Sequence, residues 1–220
     1  MLPNVTALFE TALLAVAALF PIVNPIGSAP IFLSMTADLP GQSRRMLARK
    51  VAGNAFMLLI AAMLIGSHVL QFFGISLPIV RVGGGLLVTA SGWRLLNADD
   101  DERTDRPPVT DAWEREVQRR AFYPITFPLT VGPGSISIAI TLGARVPTSS
   151  AVINLLSDLF AVAVVAASVY LSYRFASRLI ALLGETGTRV FMRLSAFMLL
   201  CVGVSIIWSG VLGLIQPLLR

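Results

Sequence analysis

Apolar residues gather into six long runs, separated by short charged or turn-rich connections. The runs lie near residues 8–36, 51–73, 79–96, 121–144, 151–173 and 194–216. A helix needs about 20 mostly apolar residues to cross a bilayer, so the pattern predicts six transmembrane helices. The first and fourth runs carry proline clusters. "FPIVNPIGSAPIF", residues 20–32, holds Pro21, Pro25 and Pro30. A proline in a helix interior removes a donor and clashes with the preceding turn, at about 3 kcal/mol each. Three within ten residues predict a broken helix.

The fourth run repeats the arrangement. Against "YPITFPLTVGPGS", residues 123–135, an offset of 103 sets Pro21 on Pro124, Pro25 on Pro128 and Pro30 on Pro133. With 13 prolines in the chain, three matches at one offset argue for a repeat. "FFGISLPIVR" and "LLGETGTRVFMR", ahead of the third and sixth runs, are weaker echoes. The expected organisation is a first three-helix repeat (1–97), a cytoplasmic linker (98–120) and a second repeat (121–220). Three helices per half is odd, so the second half is expected to be inverted. The expected fold is an all-α membrane protein: six transmembrane helices in two inverted three-helix repeats, each with a proline-broken first helix.

Charge supports this count. Only 13% of residues are charged, against about 25% in soluble domains. Mean hydropathy is +0.79. The first, third and fifth connections hold 14 of the 17 Lys and Arg residues. The positive-inside rule puts those three in the cytoplasm and both termini outside. A pI near 10.3 is thereby read as a topology signal, and no nucleic acid is expected. No basic residue precedes the first run, so a cleaved signal peptide is not expected. The single cysteine, Cys201, excludes an intrachain disulfide and a Cys-based metal motif.

Non-helical backbone at membrane depth survives only where it is buried in protein or lines an aqueous cavity. Two such breaks at matching places point to a transport site. Proline is favoured at the first position of a helix, so Pro30 and Pro133 are expected to open the second half-helices. The N–H groups after them would then suit a carboxylate. Carbonyls near Val23 and Thr126 would suit an ammonium group or a cation. Asn24, Ser28, Thr126, Thr130 and Ser135 add uncharged polar groups, and Gly27, Gly132 and Gly134 allow close approach. Such a site fits a small zwitterion. The plainer alternative is that the prolines only kink the two helices.

The motifs "NPIGSAPIFL", "FGISLPIVRVGGGLL" and "PLTVGPGSIS", in that order, resemble the MarC family of bacterial inner-membrane proteins over nearly the whole chain. The resemblance implies six helices in two repeats and kinship with the LysE-type exporters. It also implies transport of small neutral amino acids, the activity attached to one branch of the family. Asn24, Pro25, Gly27, Pro30, Gly132, Pro133 and Gly134 are the matching positions. Gly83 departs from an expected Arg-x-Ala-Gly-Gly pattern.

Ionisable residues inside a bilayer are functional candidates by default. Asp158, one turn after Asn154, is the candidate for a coupling proton or sodium ion, or for the substrate ammonium. Pairing with Arg81 or Arg145 is the structural alternative. Glu10 and His68 read as residues near helix ends, and Arg81 as a snorkelling residue. Gly83, Gly84 and Gly85, with Ser205, Ser209 and Gly213, read as packing positions. "DAWEREVQRR" in the linker is expected to form a short surface helix.

The expected function is a secondary transporter of small neutral solutes working by alternating access. It sits in the bacterial inner membrane, is multi-pass, and has the bilayer and a small-molecule substrate as partners, with room for a homo-oligomer. No Walker motif, metal set or cofactor motif is present, and no enzyme is expected. A channel or a structural membrane component is the alternative, with a membrane-integral enzyme behind it.

Overall fold

The computed structural model describes residues 5–36, 39–97, 121–144 and 151–216. The expected linker helix and Arg145 fall outside these. The described residues are helical throughout: α1 (Val5–Val23), α2 (Pro25–Met35), α3 (Gly41–Phe72), α4 (Leu77–Leu96), α5 (Ala121–Thr130), α6 (Pro133–Gly143), α7 (Ala151–Arg174) and α8 (Ala176–Ile215). Four stretches are long and apolar enough to cross a membrane: Leu8–Leu33, Gly41–Phe72, Val152–Arg174 and Thr186–Ile215. The bent pair α5–α6 makes a fifth. α4, at 20 residues with Arg81 and Arg94, does not reach the same apolarity.

Helices extend beyond the apolar runs. α3 begins at Gly41, so the basic stretch expected as a loop is wound into its first turns. Its 32 residues span about 48 Å, well beyond a hydrocarbon core of about 30 Å. One end, with Arg44, Arg45, Arg49 and Lys50, therefore stands outside the apolar layer. Arg44 donates to the carbonyls of Thr36 (3.0 Å) and Leu39 (3.1 Å), and to Ser177 Oγ (3.3 Å). A cation there satisfies carbonyls at the end of α2 and ties that end to the start of α8.

α3 ends in a Schellman turn. Gly74, at φ 66°, sends its N–H to Gln71, while Ile75 N–H reaches Leu70. Gly184 breaks α8 with almost the same angle, φ 65°. These glycines sit in the two echo motifs, ahead of α4 and of the apolar stretch Thr186–Ile215 of α8. Gly184, at ψ −178°, lies where almost only glycine is found, and such backbone costs other residues about 1–3 kcal/mol.

The core is drawn from α1, α2, α3, α5, α6 and α7, with Leu19, Phe32, Leu59, Ile125 and Val165 fully buried. α4 lies along α8 in a separate seam. There Gly85 faces Gly203 and Ile207, Gly92 faces Ala196 and Leu200, and Gly210 faces Pro78 and Val82. Each added residue on one helix removes one on the other, so the pair is antiparallel. Small residues let backbones touch where lipid supplies no hydrophobic drive. The seam corrects part of the expected packing set. Gly85 is buried in it and Gly213 meets Pro78, but Gly84 packs against Pro133 and Ser137 of α6, Gly83 faces open space, and Ser205 and Ser209 are exposed. The stripe on α8 is Ala196, Gly203 and Gly210, at seven-residue spacing. The outward faces carry exposed Leu, Ile, Phe and Met side chains, as lipid contact requires.

Candidate functional site

Both proline-rich stretches break their helices, in different ways. In the first, only Asn24 leaves the helical region, at φ 45°, ψ 57°. Asn is one of the few residues that adopts left-handed backbone readily. Its Oδ1 accepts the N–H of Gly27 at 3.2 Å, capping α2, and Pro25 takes the first helical position. Backbone bonds run up to and away from the break: Asn24 N–H to Phe20 O, and Ser28 N–H to Asn24 O. α1 and α2 therefore continue as one span.

The second break is sharper. α5 is wound in wide turns that bond five residues apart, as in Val131 N–H to Thr126 O at 2.8 Å. Tyr123 and Phe127 are extended, as residues before proline tend to be. The peptide bonds to Pro124 and Pro128 are cis. The chain turns by 71° between α5 and α6. Gly132 is the N-cap and supplies no side chain, and Pro133 takes the first helical position. The first bond within α6 is Ile136 N–H to Gly132 O, which leaves the amides of Gly134 and Ser135 ahead of the ladder.

Of the two expected half-helix starts, one changes. Pro30 lies inside α2 rather than opening a half-helix, because Asn24 supplies the cap one turn earlier and Pro25 starts the helix. Pro133 does open α6. The element starts therefore pair Pro25 with Pro133, an offset of 108 instead of 103, and α2 and α6 are each 11 residues long. Thr126 is fully buried, but its carbonyl takes the Val131 N–H and its hydroxyl donates to Ala121 O at 2.5 Å.

One side chain joins the two breaks. Tyr173, near the end of α7 and 1% exposed, has its hydroxyl 2.8 Å from Thr130 Oγ1 and 3.1 Å from Ser28 Oγ. Its ring stacks on Phe32 with centroids 4.3 Å apart and planes 9° from parallel. Ser28 also donates to Asn24 O, and Thr130 to Ile125 O. Nothing in the sequence ties Tyr173 to either break; beside Arg174 it has the look of an interfacial aromatic.

Beside this junction lies a cleft of about 90 Å³. Thr130, Gly132, Pro133, Gly134 and Ser135 line one wall, Ile22 of α1 another, and Leu87, Val88 and Ser91 of α4 a third. The α4 wall is a part that sequence reading missed. The volume holds a few water molecules and is far below the roughly 300 Å³ of a drug-sized site. Of the first break's expected residues, Asn24, Pro25, Gly27, Ser28 and Pro30 do not reach this cleft.

Asp158 is buried, 6% exposed, in the second turn of the span. Its neighbour Ser157 donates to Leu8 O on α1 at 3.0 Å. It stands fifteen residues before Tyr173, about 22 Å along α7, so the structure does not bring it to the junction. Arg81 contacts Thr141 Oγ1 at 3.4 Å.

No solved structure gives a significant match to this chain. The chain is 29% identical over 216 residues to the UPF0056 inner membrane protein MarC of Escherichia coli O157:H7, covering 95% of this chain and 97% of that protein. It is 28% identical over 201 residues to the UPF0056 membrane protein MJ1677 of Methanocaldococcus jannaschii, covering 91% and 96%. The UPF0056 membrane protein YvbG of Bacillus subtilis is also 28% identical over 201 residues, covering 91% and 94%. These names specify a membrane location and no reaction. The family model described as "MarC family integral membrane protein" matches residues 9–215, nearly the whole chain, and the protein belongs to that family.

Proposed function

We propose that this protein is a secondary transporter of small neutral solutes, amino acids foremost, working by alternating access in the bacterial inner membrane. The observation that carries the reading is the junction at Tyr173, where the two proline breaks meet through one buried hydroxyl beside a polar-lined cleft. Breaks of this kind at membrane depth are where carriers hold solutes and flex. The two halves are residues 1–97 and 121–220, in inverted orientation, with both termini outside. Paired Pro-initiated helices of equal length and the paired turns at Gly74 and Gly184 support the repeat. The name of the E. coli relative supports the inner-membrane assignment. Asp158, buried toward the other end of α7 from the junction, is the proposed coupling group for a proton or sodium ion. A cleft this small favours glycine, alanine and serine over larger solutes.

Counterflow in proteoliposomes tests the proposal. Vesicles loaded with unlabelled glycine, alanine or serine are expected to take up the labelled form saturably. Gly132→Leu is expected to abolish the exchange, because a Cβ at Gly132 meets only Pro128 O at 3.2 Å and the rest of the side chain fills the cleft. Failure of folded wild type to exchange any small amino acid would sink the substrate class. Non-saturating flux would place the protein among channels.

A further inference from the structure

The two breaks are unequal in what they leave unbonded. At the first, Asn24 Oδ1 holds Gly27 N–H, Ser28 N–H bonds to Asn24 O, and the Ser28 hydroxyl donates to Asn24 O while accepting from Tyr173. Its polar groups serve one another. At the second, α6 has no side-chain cap. The N–H groups of Gly134 and Ser135 have no backbone partner among the described residues, and both residues line the cleft. Ser135 is 2% exposed, and its hydroxyl makes no hydrogen bond to any described group. Here it lies at the positive end of a helix eleven residues long.

We infer that the cleft holds one carboxylate site, built by the amides of Gly134 and Ser135 and the Ser135 hydroxyl, and that the first break is a hinge with no part in holding the anion. Three donors lie within the first turn of α6, where the dipole favours negative charge, and no fixed cation is needed. The opposite walls, Ile22, Leu87, Val88 and Leu129, are apolar and suit a hydrogen or a methyl group on the substrate. This rests on the transport reading and adds to it which end of the substrate is gripped, and where. It also assigns the two matched motifs different tasks, which their sequence likeness hides.

The test uses alanine exchange in proteoliposomes with two fragments as competitors: propionate, which lacks the amine, and ethylamine, which lacks the carboxylate. Propionate is expected to compete in wild type. Ser135→Ala is expected to raise the KM for alanine and the inhibition constant for propionate by the same factor, about tenfold, as loss of one bond to a charged group implies. Ser209→Ala, on the exposed face of α8, controls for the exchange of serine for alanine. Exchange with an unchanged KM in Ser135→Ala would overturn the carboxylate site and leave the transporter standing. A raised alanine KM with unchanged propionate inhibition would also overturn it, by placing the amine at Ser135. No exchange of any amino acid by folded wild type, with no shift of its melting temperature in propionate, would remove the transport reading and the site together.

Discussion

The hydroxyl of Tyr173 lies 2.8 Å from Oγ1 of Thr130, on a helix that begins after a different turn and ends beside Arg174. It reaches Ser28 as well, so one phenol holds the two breaks together. Moving one proline helix against the other separates these groups. Tyr173→Phe keeps the ring stacked on Phe32 and removes only the bridge. Ser28 and Thr130 retain their backbone acceptors, so the loss is expected to be about 1–2 kcal/mol. Thermal unfolding in detergent checks this. A cycle with Ser28→Ala is expected to show a coupling of at least about 0.5 kcal/mol between the two positions.

Asn24 and Gly27 form a second pair. A Cβ on Gly27 would run into the side chain that caps it. Gly27→Ala is therefore expected to destabilise the protein by about 1 kcal/mol, the worth of an N-cap. Asn24→Gly tolerates the positive φ and loses only the cap, whereas Asn24→Ala loses the cap and adds strain. The melting temperatures are expected to fall in the order wild type, Asn24→Gly, Asn24→Ala. Equal values for the two variants would refute the left-handed assignment.

The α4–α8 seam predicts a contrast between neighbouring glycines. A Cβ at Gly203 would stand 2.6 Å from Thr89 N, and one at Gly92 2.7 Å from Leu200 N, both backbone atoms that cannot turn aside. Alanine at either is expected to cost about 1–3 kcal/mol by overpacking. Gly83 has nothing within 4 Å, and alanine there is expected to be neutral or to stabilise by up to about 1 kcal/mol through helix propensity. Unfolding of the three variants side by side decides the matter.

Gly184 faces open space, yet it breaks α8 at φ 65°. Gly184→Ala is expected to lose about 1–2 kcal/mol to backbone strain alone. Gly184→Asn is expected to lose as much, since φ 65° with ψ −178° is a region that almost only glycine populates. If alanine matched wild type in melting temperature, α8 would run straight through this point.

Apolar length marked the middle of each long helix, because bilayer thickness acts on local composition, but not the ends: α3 and α8 run into basic stretches expected as connections, and α4 falls short of the apolarity of the other spans. The proline clusters marked both breaks for the same reason. Their register was harder. Counting prolines paired Pro30 with Pro133, while the true helix start at Pro25 depends on how Asn24 turns its backbone. Tyr173 was out of reach, since its role arises from three helices meeting. The α4 wall and the seam partners Gly203 and Gly210 are likewise products of packing between distant segments. Ser28 and Ser135 look alike in their motifs, and only the hydrogen-bond partners separate them.

The seam has a consequence for how the protein is made. α4 carries two arginines and three successive glycines, and falls short of the apolarity of the long spans. Its fit in the bilayer is completed by α8, which leaves the ribosome about a hundred residues later. The middle of the chain therefore acquires its final threading last, when its partner arrives. With Cys201 replaced by serine, a cysteine placed at Asn97 is expected to be labelled from one side of the membrane in the full chain, and from both in a chain truncated after residue 175.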